Sequence, residues 1–192
     1  LRRLGIAVIM AVFNYLRGSV MIKRLLLSVL GAVILFVWGF VGHVALGIYD
    51  PVFNHFDDES AVAMVLEENT RGAGIHYLPA EPVRDGTQAE ALVNYVPAGE
   101  RSGFGAMVGR GLLVDAVAVF LVLLLLAHGR SRGYWPQVGR FALIGFLLGF
   151  VVHAYFWNWF DFPALYFAIS VGDSLVGWTL VGLAVAAFMR EP

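Results

Sequence analysis

FALIGFLLGFVVHAYFWNWFDFPALYFAISVGDSLVGWTLVGLAVAAFM, residues 141–189, is the stretch whose reading decides the fold. Two long apolar runs are separated by Trp157-Asn158-Trp159-Phe160-Asp161-Phe162-Pro163. The run before the break suits a helix over 141–157, and the run after it one over 163–189. Each is close to the roughly 20 apolar residues that cross a bilayer as a helix. Pro163 sits near the first turn of the second helix, where a missing N–H costs nothing. The stretch reads as a transmembrane hairpin with an aromatic turn, carrying one carboxyl, Asp173, inside the hydrocarbon.

The rest of the chain agrees. Its 192 residues are 59 % hydrophobic and 14 % charged, against roughly 25 % charged in soluble domains. This balance excludes disorder and argues against a water-soluble globule. The chain contains no cysteine, which removes disulfides, thiolate catalysis and cysteine metal sites. Leu25 to Gly47 is free of formal charge and would extend roughly 34 Å at the helical rise. A cleaved signal peptide fits less well, because the apolar core is about twice the usual length and no A-x-A site follows. Leu112 to Ala127 supplies the remaining span. Residues 1–20 are either an interfacial helix or an extension read from the wrong start, since Met21-Ile22-Lys23-Arg24 has the form of a natural beginning.

The expected organisation is therefore a first span within 21–47, a polar excursion over 48–107, and spans two to four within 108–192. The fold class is an all-α, four-transmembrane-helix bundle with a small α/β-like extracytoplasmic segment between helices one and two. That segment is acidic, with Asp50, Asp57, Asp58, Glu59, Glu67, Glu68, Glu81, Asp85, Glu90 and Glu100 against Arg71, Arg84 and Arg101. Asp57-Asp58-Glu59-Ser60 offers N-cap chemistry to a short helix over 61–68. Residues 75–79 and 92–97 are extended candidates, each stopped by proline, and their pairing alone would be marginal. Gly103 to Gly111 lacks the lysine and hydroxyl ending of a phosphate loop, and Gly105-x-x-x-Gly109 reads as a place for close chain contact. Lys23, Arg24, Arg130, Arg132, Arg140 and Arg190 flank one side of a four-span arrangement. The positive-inside rule puts that side, with both termini, in the cytoplasm. Tyr134, Trp135, Trp157 and Trp159 fall where an aromatic belt would lie.

Each span carries one ionisable residue in its middle or outer half: His43, Asp115, His153 and Asp173. Such groups are expensive in hydrocarbon and face the bundle interior. His153 shares a helical face with Gly149 and Gly145, and Asp173 with Ser170, Ser174 and Gly177. His43 follows Gly39 by four residues, and Asp115 follows Gly111 likewise. Small residues let helices approach, so these are the expected contact faces. The structural reading, polar groups hydrogen-bonded across helices, is preferred. The functional readings are a haem b or metal ligated by the two histidines, a proton- or cation-coupled carrier using Asp173, or a quinone or lipid site against the aromatic turn of Trp157, Asn158, Trp159, Asp161 and Pro163. His55 and His76 lack a second ligand at metal spacing and read as solvated. Asp57-Asp58-Glu59 lacks the alternation of a calcium loop. No nucleophile elbow is present, and no basic patch suggests nucleic acid.

Met21-Ile22-Lys23-Arg24 leading into Phe36-Val37-Trp38-Gly39-Phe40-Val41-Gly42-His43, then Gly74-Ile75-His76-Tyr77-Leu78-Pro79, and finally the Trp157–Pro163 turn with Tyr166, Asp173 and Gly177-Trp178, resemble a family of small bacterial four-span membrane proteins. The similarity spans about residues 21–189. It implies a bacterial inner membrane and a start at Met21. No activity is assigned to that family, so the resemblance supplies no catalytic residue. The expected function is a non-enzymatic accessory, assembly or interaction protein presenting its extracytoplasmic segment. The bilayer is its environment, other membrane proteins or a second copy are its candidate partners, and no cofactor is expected. The alternative is a redox, ligand-binding or carrier protein built on the four intramembrane polar residues.

Overall fold

The computed structural model describes residues 2–79, 87–127 and 133–189. Arg130, Arg132 and Arg190, on which much of the expected orientation rests, lie outside these residues, as do Glu81, Arg84 and Asp85. The protein is mostly helical. Helix α1 (Arg2–Phe40) passes into a π-helical turn, Val41–Ala45. Helix α2 (Glu59–Asn69) and strands β1 (Gly74–Leu78) and β2 (Ala91–Tyr95) follow. Helices α3 (Phe104–Ala127), α4 (Tyr134–Trp159) and α5 (Ala164–Val185) complete the chain, with a short 3₁₀ turn over Ala186–Phe188.

Four segments are long and apolar enough to cross a membrane: Val20–Ala45, Phe104–Leu126, Tyr134–Trp159 and Ala164–Phe188. Large apolar side chains stand exposed along all of them, Leu26 and Leu125 at 67 % each, Leu147 at 56 % and Leu165 at 51 %. A soluble protein does not expose apolar surface on this scale. Four long apolar helices so clothed make a multi-pass membrane protein in contact with lipid. Several boundaries differ from the sequence expectation: α1 is one continuous helix from Arg2, and α4 runs on to Trp159, so Trp157, Asn158 and Trp159 of the expected turn are helical. Helix α3 begins at Phe104, so the glycine-rich run is helical rather than a lead-in. Helix α4 begins at Tyr134 and absorbs the end of the expected loop. Both extensions have one cause: in or near lipid the backbone must satisfy its own hydrogen bonds, and this overrides the modest helix penalty of glycine.

The helices pack as a bundle around one shared core. Contact is most extensive between α4 and α5, then between α1 and α3, with α1 against α5 joining the two pairs. The core gathers Leu27 of α1, Val119, Val122, Leu123 and Leu126 of α3, Phe141 of α4, and Trp178, Val181 and Val185 of α5. Every buried residue of α3 lies in its second half. The bundle is therefore tightest at the end where α3 finishes and α4 begins. Glycine sets the approach of α4 to α5. A Cβ on Gly145 would stand 2.6 Å from Trp178 Cβ and 2.7 Å from the Ser174 carbonyl oxygen, and one on Gly149 would stand 3.0 Å from Val171 Cα. Ser174 Oγ donates to the Gly145 carbonyl at 2.8 Å, and Tyr134 donates to the Leu183 carbonyl at 2.8 Å. The faces read from small residues on these two helices are thus contact faces. Gly39 and Gly111 themselves meet no neighbour within 4 Å, whereas Val119, two turns beyond Gly111, is buried in the core.

Between the first and second spans, Asp58 caps α2 by accepting from the Ala61 N–H at 2.9 Å. Strands β1 and β2 pair antiparallel, Gly74 opposite Tyr95 and Leu78 opposite Ala91. Helix α2 has no buried residue and, among the described residues, shares no extensive contact with any other element.

Candidate functional site

The carboxyl of Asp173 is the polar centre of the helical bundle. Helix α5 brings it to the end of α1, and both of its oxygens receive donors from that end. Trp38 Nε1–H donates to Oδ1 at 2.7 Å and lies 3.2 Å from the Asp173 carbonyl oxygen. The Tyr49 hydroxyl donates to Oδ2 at 3.0 Å. The indole reaches α5 because Gly177 leaves it room: a Cβ there would lie 3.0 Å from Trp38 Cδ1 and 3.3 Å from Leu35. Gly42 makes the second opening, since its Cβ would stand 3.7 Å from Asp173 Oδ1 and 3.2 Å from Ile48.

Tyr49 belongs to the chain beyond the span, and its return is built by local geometry. The helix widens at Val41–Ala45, Leu46 N–H bonds the Val41 carbonyl at 2.9 Å, and Ile48 N–H reaches back to the Gly42 carbonyl at 3.1 Å. Gly47 takes φ +56°, the left-handed backbone that closes helix ends and favours glycine. The chain then doubles back and lays the Tyr49 ring on His43, centroids 4.4 Å apart and nearly parallel. His43 Nδ1 is turned to the Gly39 carbonyl at 3.0 Å. Tyr49 is buried, and burial first, then the adjacent Asp173 charge, push its hydroxyl up from 10.0 to about 12; Ser170, whose Oγ lies beside it without a well-formed hydrogen bond, pulls the other way. The phenol is thereby held as a donor.

The four expected polar residues separate into different settings. Asp173 and His43 meet through Tyr49. His153 packs its ring edge-on against Tyr166 at 5.5 Å, and Tyr166 in turn lies 6.1 Å from Tyr49. No hydrogen bond joins His153 to Asp173 among the described residues, and its Nδ1 is buried with no partner. Asp115 stands apart: α3 packs extensively only on α1, and among the described residues its carboxyl makes no hydrogen bond or ion pair. No group of three histidine or carboxylate side chains comes together in a form that could hold a metal ion among the described residues.

Trp38 and Tyr49 are the members that reasoning from ionisable residues misses. A signal existed for Trp38. It lies well inside the span rather than at its end, and an indole N–H in hydrocarbon needs an acceptor. Nothing in the sequence marks Tyr49, whose position depends on the widened helix end and the turn at Gly47.

A second concave surface lies where the strand hairpin meets the aromatic turn between α4 and α5. Phe160 and Phe162 N–H groups both bond the Phe156 carbonyl, at 3.1 and 3.3 Å, and Asp161 takes φ +51° between them. Rings meet in the order Phe160, Phe156, Phe162, Tyr166 at 5.2–5.8 Å, and Trp157 stacks on Phe167 at 5.7 Å. Pro163 caps the start of α5. Tyr77 of β1 meets Phe160 edge-on at 6.3 Å, so the hairpin rests over the turn. His76 faces the Gly72 carbonyl at 3.3 Å, and His55 pairs with Glu59 on the exposed surface at 3.6 Å. Comparison with known protein families, curated proteins and solved structures gives no match, and the conclusion that this is a four-span membrane protein rests on its own sequence and geometry.

Proposed function

We infer that the protein is a non-enzymatic accessory of a bacterial cytoplasmic membrane that presents residues 48–103 on the outer face to a protein partner. One observation carries this reading. Among the described residues helix α2 buries none of its side chains and packs extensively on no other element, yet Met64 and Val65 stand 59 % and 58 % exposed. An isolated helix of 11 residues is marginal in water, and helices in proteins draw their stability from a packed apolar face. A partner protein supplies that face. The Asp173 centre supports the same reading, because a carboxyl with both oxygens occupied works as a fastener between helices. Lys23, Arg24, Arg130, Arg132 and Arg140 favour a cytoplasmic placement for the opposite end of the bundle.

A photo-crosslinking residue at Met64, in cells, should give one discrete protein adduct, absent when the same residue replaces Leu147. Adducts with lipid alone would overturn the reading. The orientation is tested in the cysteine-free chain by Thr70→Cys and Ser131→Cys, which should be labelled from opposite faces. The redox or carrier alternative draws on a single atom, the buried and unpartnered His153 Nδ1. A Soret band in the purified protein, lost in His153→Leu, would put it in place of the docking reading.

A further inference from the structure

The cleft between the strand hairpin and the aromatic turn has a volume of about 480 Å³, within the range of small-molecule sites. Its walls combine two kinds of side chain. Tyr77, Trp159, Phe160 and Phe162 supply aromatic surface, and Glu90 and Asp161 supply carboxylates. No lysine, arginine or histidine is among the described residues that line it. The rings are not a single packed stack: Tyr77 and Phe160 meet at 71°, so a face and an edge form a corner. Tyr77 donates to Glu90 Oε2 at 3.2 Å, which fixes the carboxylate beside that corner. Trp159 and Phe160 are about half exposed, at 50 % and 42 %, and Asp161 makes no hydrogen bond or ion pair among the described residues.

Aromatic faces around a small cavity attract cations through the ring quadrupole, and the recurring ligands of such corners are alkylated ammonium groups. Neighbouring carboxylates add charge without imposing a metal's geometry. A neutral apolar ligand would leave two carboxylates to be desolvated with nothing in return, and an anion would be repelled. We propose that this cleft binds an organic ammonium group, with Trp159 and Phe160 against its methyl or methylene surface and Glu90 and Asp161 balancing its charge. The site lies at the end of a membrane hairpin, at the level where headgroups lie. The same chemistry can therefore come from a choline or ethanolamine lipid headgroup or from a free alkylammonium compound. The proposal is independent of the docking role of α2, which lies outside the cleft.

The test is a tryptophan-fluorescence titration of the full chain in nanodiscs of anionic, amine-free lipid, with tetramethylammonium as probe and 3,3-dimethylbutanol as a neutral probe of similar bulk. Saturable quenching by the cation alone is expected, weakened about tenfold in Trp159→Leu and in the double variant Glu90→Gln with Asp161→Asn. For Trp159→Leu, whose reporter is lost, binding is read by calorimetry. In nanodiscs made with phosphatidylcholine, loss of the free-probe signal identifies the lipid headgroup as the source, and an undiminished signal identifies a free cation. Equal binding of the neutral probe, no binding of the cation, or binding indifferent to both sets of substitutions would each overturn the proposal. A helical circular-dichroism spectrum in each variant separates loss of the site from loss of the fold.

Discussion

Replacing Trp38 by Phe removes the indole N–H while keeping an aromatic ring in the space beside Gly177. The lost contact is a 2.7 Å bond to Asp173 Oδ1 with a second acceptor, the Asp173 carbonyl, at 3.2 Å. Hydrogen bonds between membrane helices average about 0.6 kcal/mol and reach about 1.7 kcal/mol. A bond of 2.7 Å to a carboxylate in a partly buried site belongs near the top, so we take a coupling to the side chain alone of about 1.5 kcal/mol, roughly twelvefold in the folding constant. The smaller ring adds a packing loss of its own, so the single variant is not a clean measure. A double-mutant cycle with Asp173→Leu cancels that loss. The assay is reversible unfolding of the purified protein in mixed micelles. Trp38→Phe should cost about 1.5 kcal/mol more in the native background than in Asp173→Leu. Equal costs in the two backgrounds would show that the bond does not hold α1 to α5, and the account of Asp173 as a fastener would fail.

Three further outcomes follow from the geometry. Gly145→Ala should destabilise the protein by about 1–3 kcal/mol through overpacking, because its Cβ would meet Trp178 Cβ at 2.6 Å; Gly172→Ala, with nothing within 4 Å, is the neutral control in the same unfolding assay. Ultraviolet titration of the tyrosines should show one phenol ionising near pH 12, absent in Tyr49→Phe. Since the folded value is raised above the unfolded 10.0, the linked stability is whole below pH 10 and is lost as pH rises from there through about 12. Asp58→Ala removes the cap on the Ala61 N–H and should cost α2 about 1 kcal/mol, read as faster amide exchange over 61–63 with the spans unchanged.

How far the sequence foretells the molecule varies with the kind of physics involved. Span length and apolar content are local quantities, and they found all four crossings and the strand pair between the first and second. Spacing of small residues found the face that Gly145 and Gly149 present to Ser174 and Trp178, because close approach of two helices needs glycine in register. At Gly39 and Gly111 the small residues themselves meet no neighbour within 4 Å. Spacing locates a face on its own helix and says nothing about which helix lies opposite. That is also why four polar residues could be imagined in one cluster: which of them meet is a tertiary fact. Tyr49 was beyond reach for a related reason, since its contact with Asp173 depends on a widened helix end followed by one left-handed glycine.

The bond from Trp38 to Asp173 joins residues 135 apart in the chain, and this separation has a consequence for biosynthesis. At roughly 5–20 residues per second, the first helix is made on the order of ten seconds before its acceptor. During that interval the indole N–H and the Tyr49 hydroxyl have no carboxyl to meet, and α1 is held chiefly by its contact with α3. Completion of the last helix then supplies the carboxyl that ties the earliest span to the latest. A chain released before residue 173 would lack that tie, and the exposed donors would distinguish it from the finished protein for any machinery that surveys newly inserted helices.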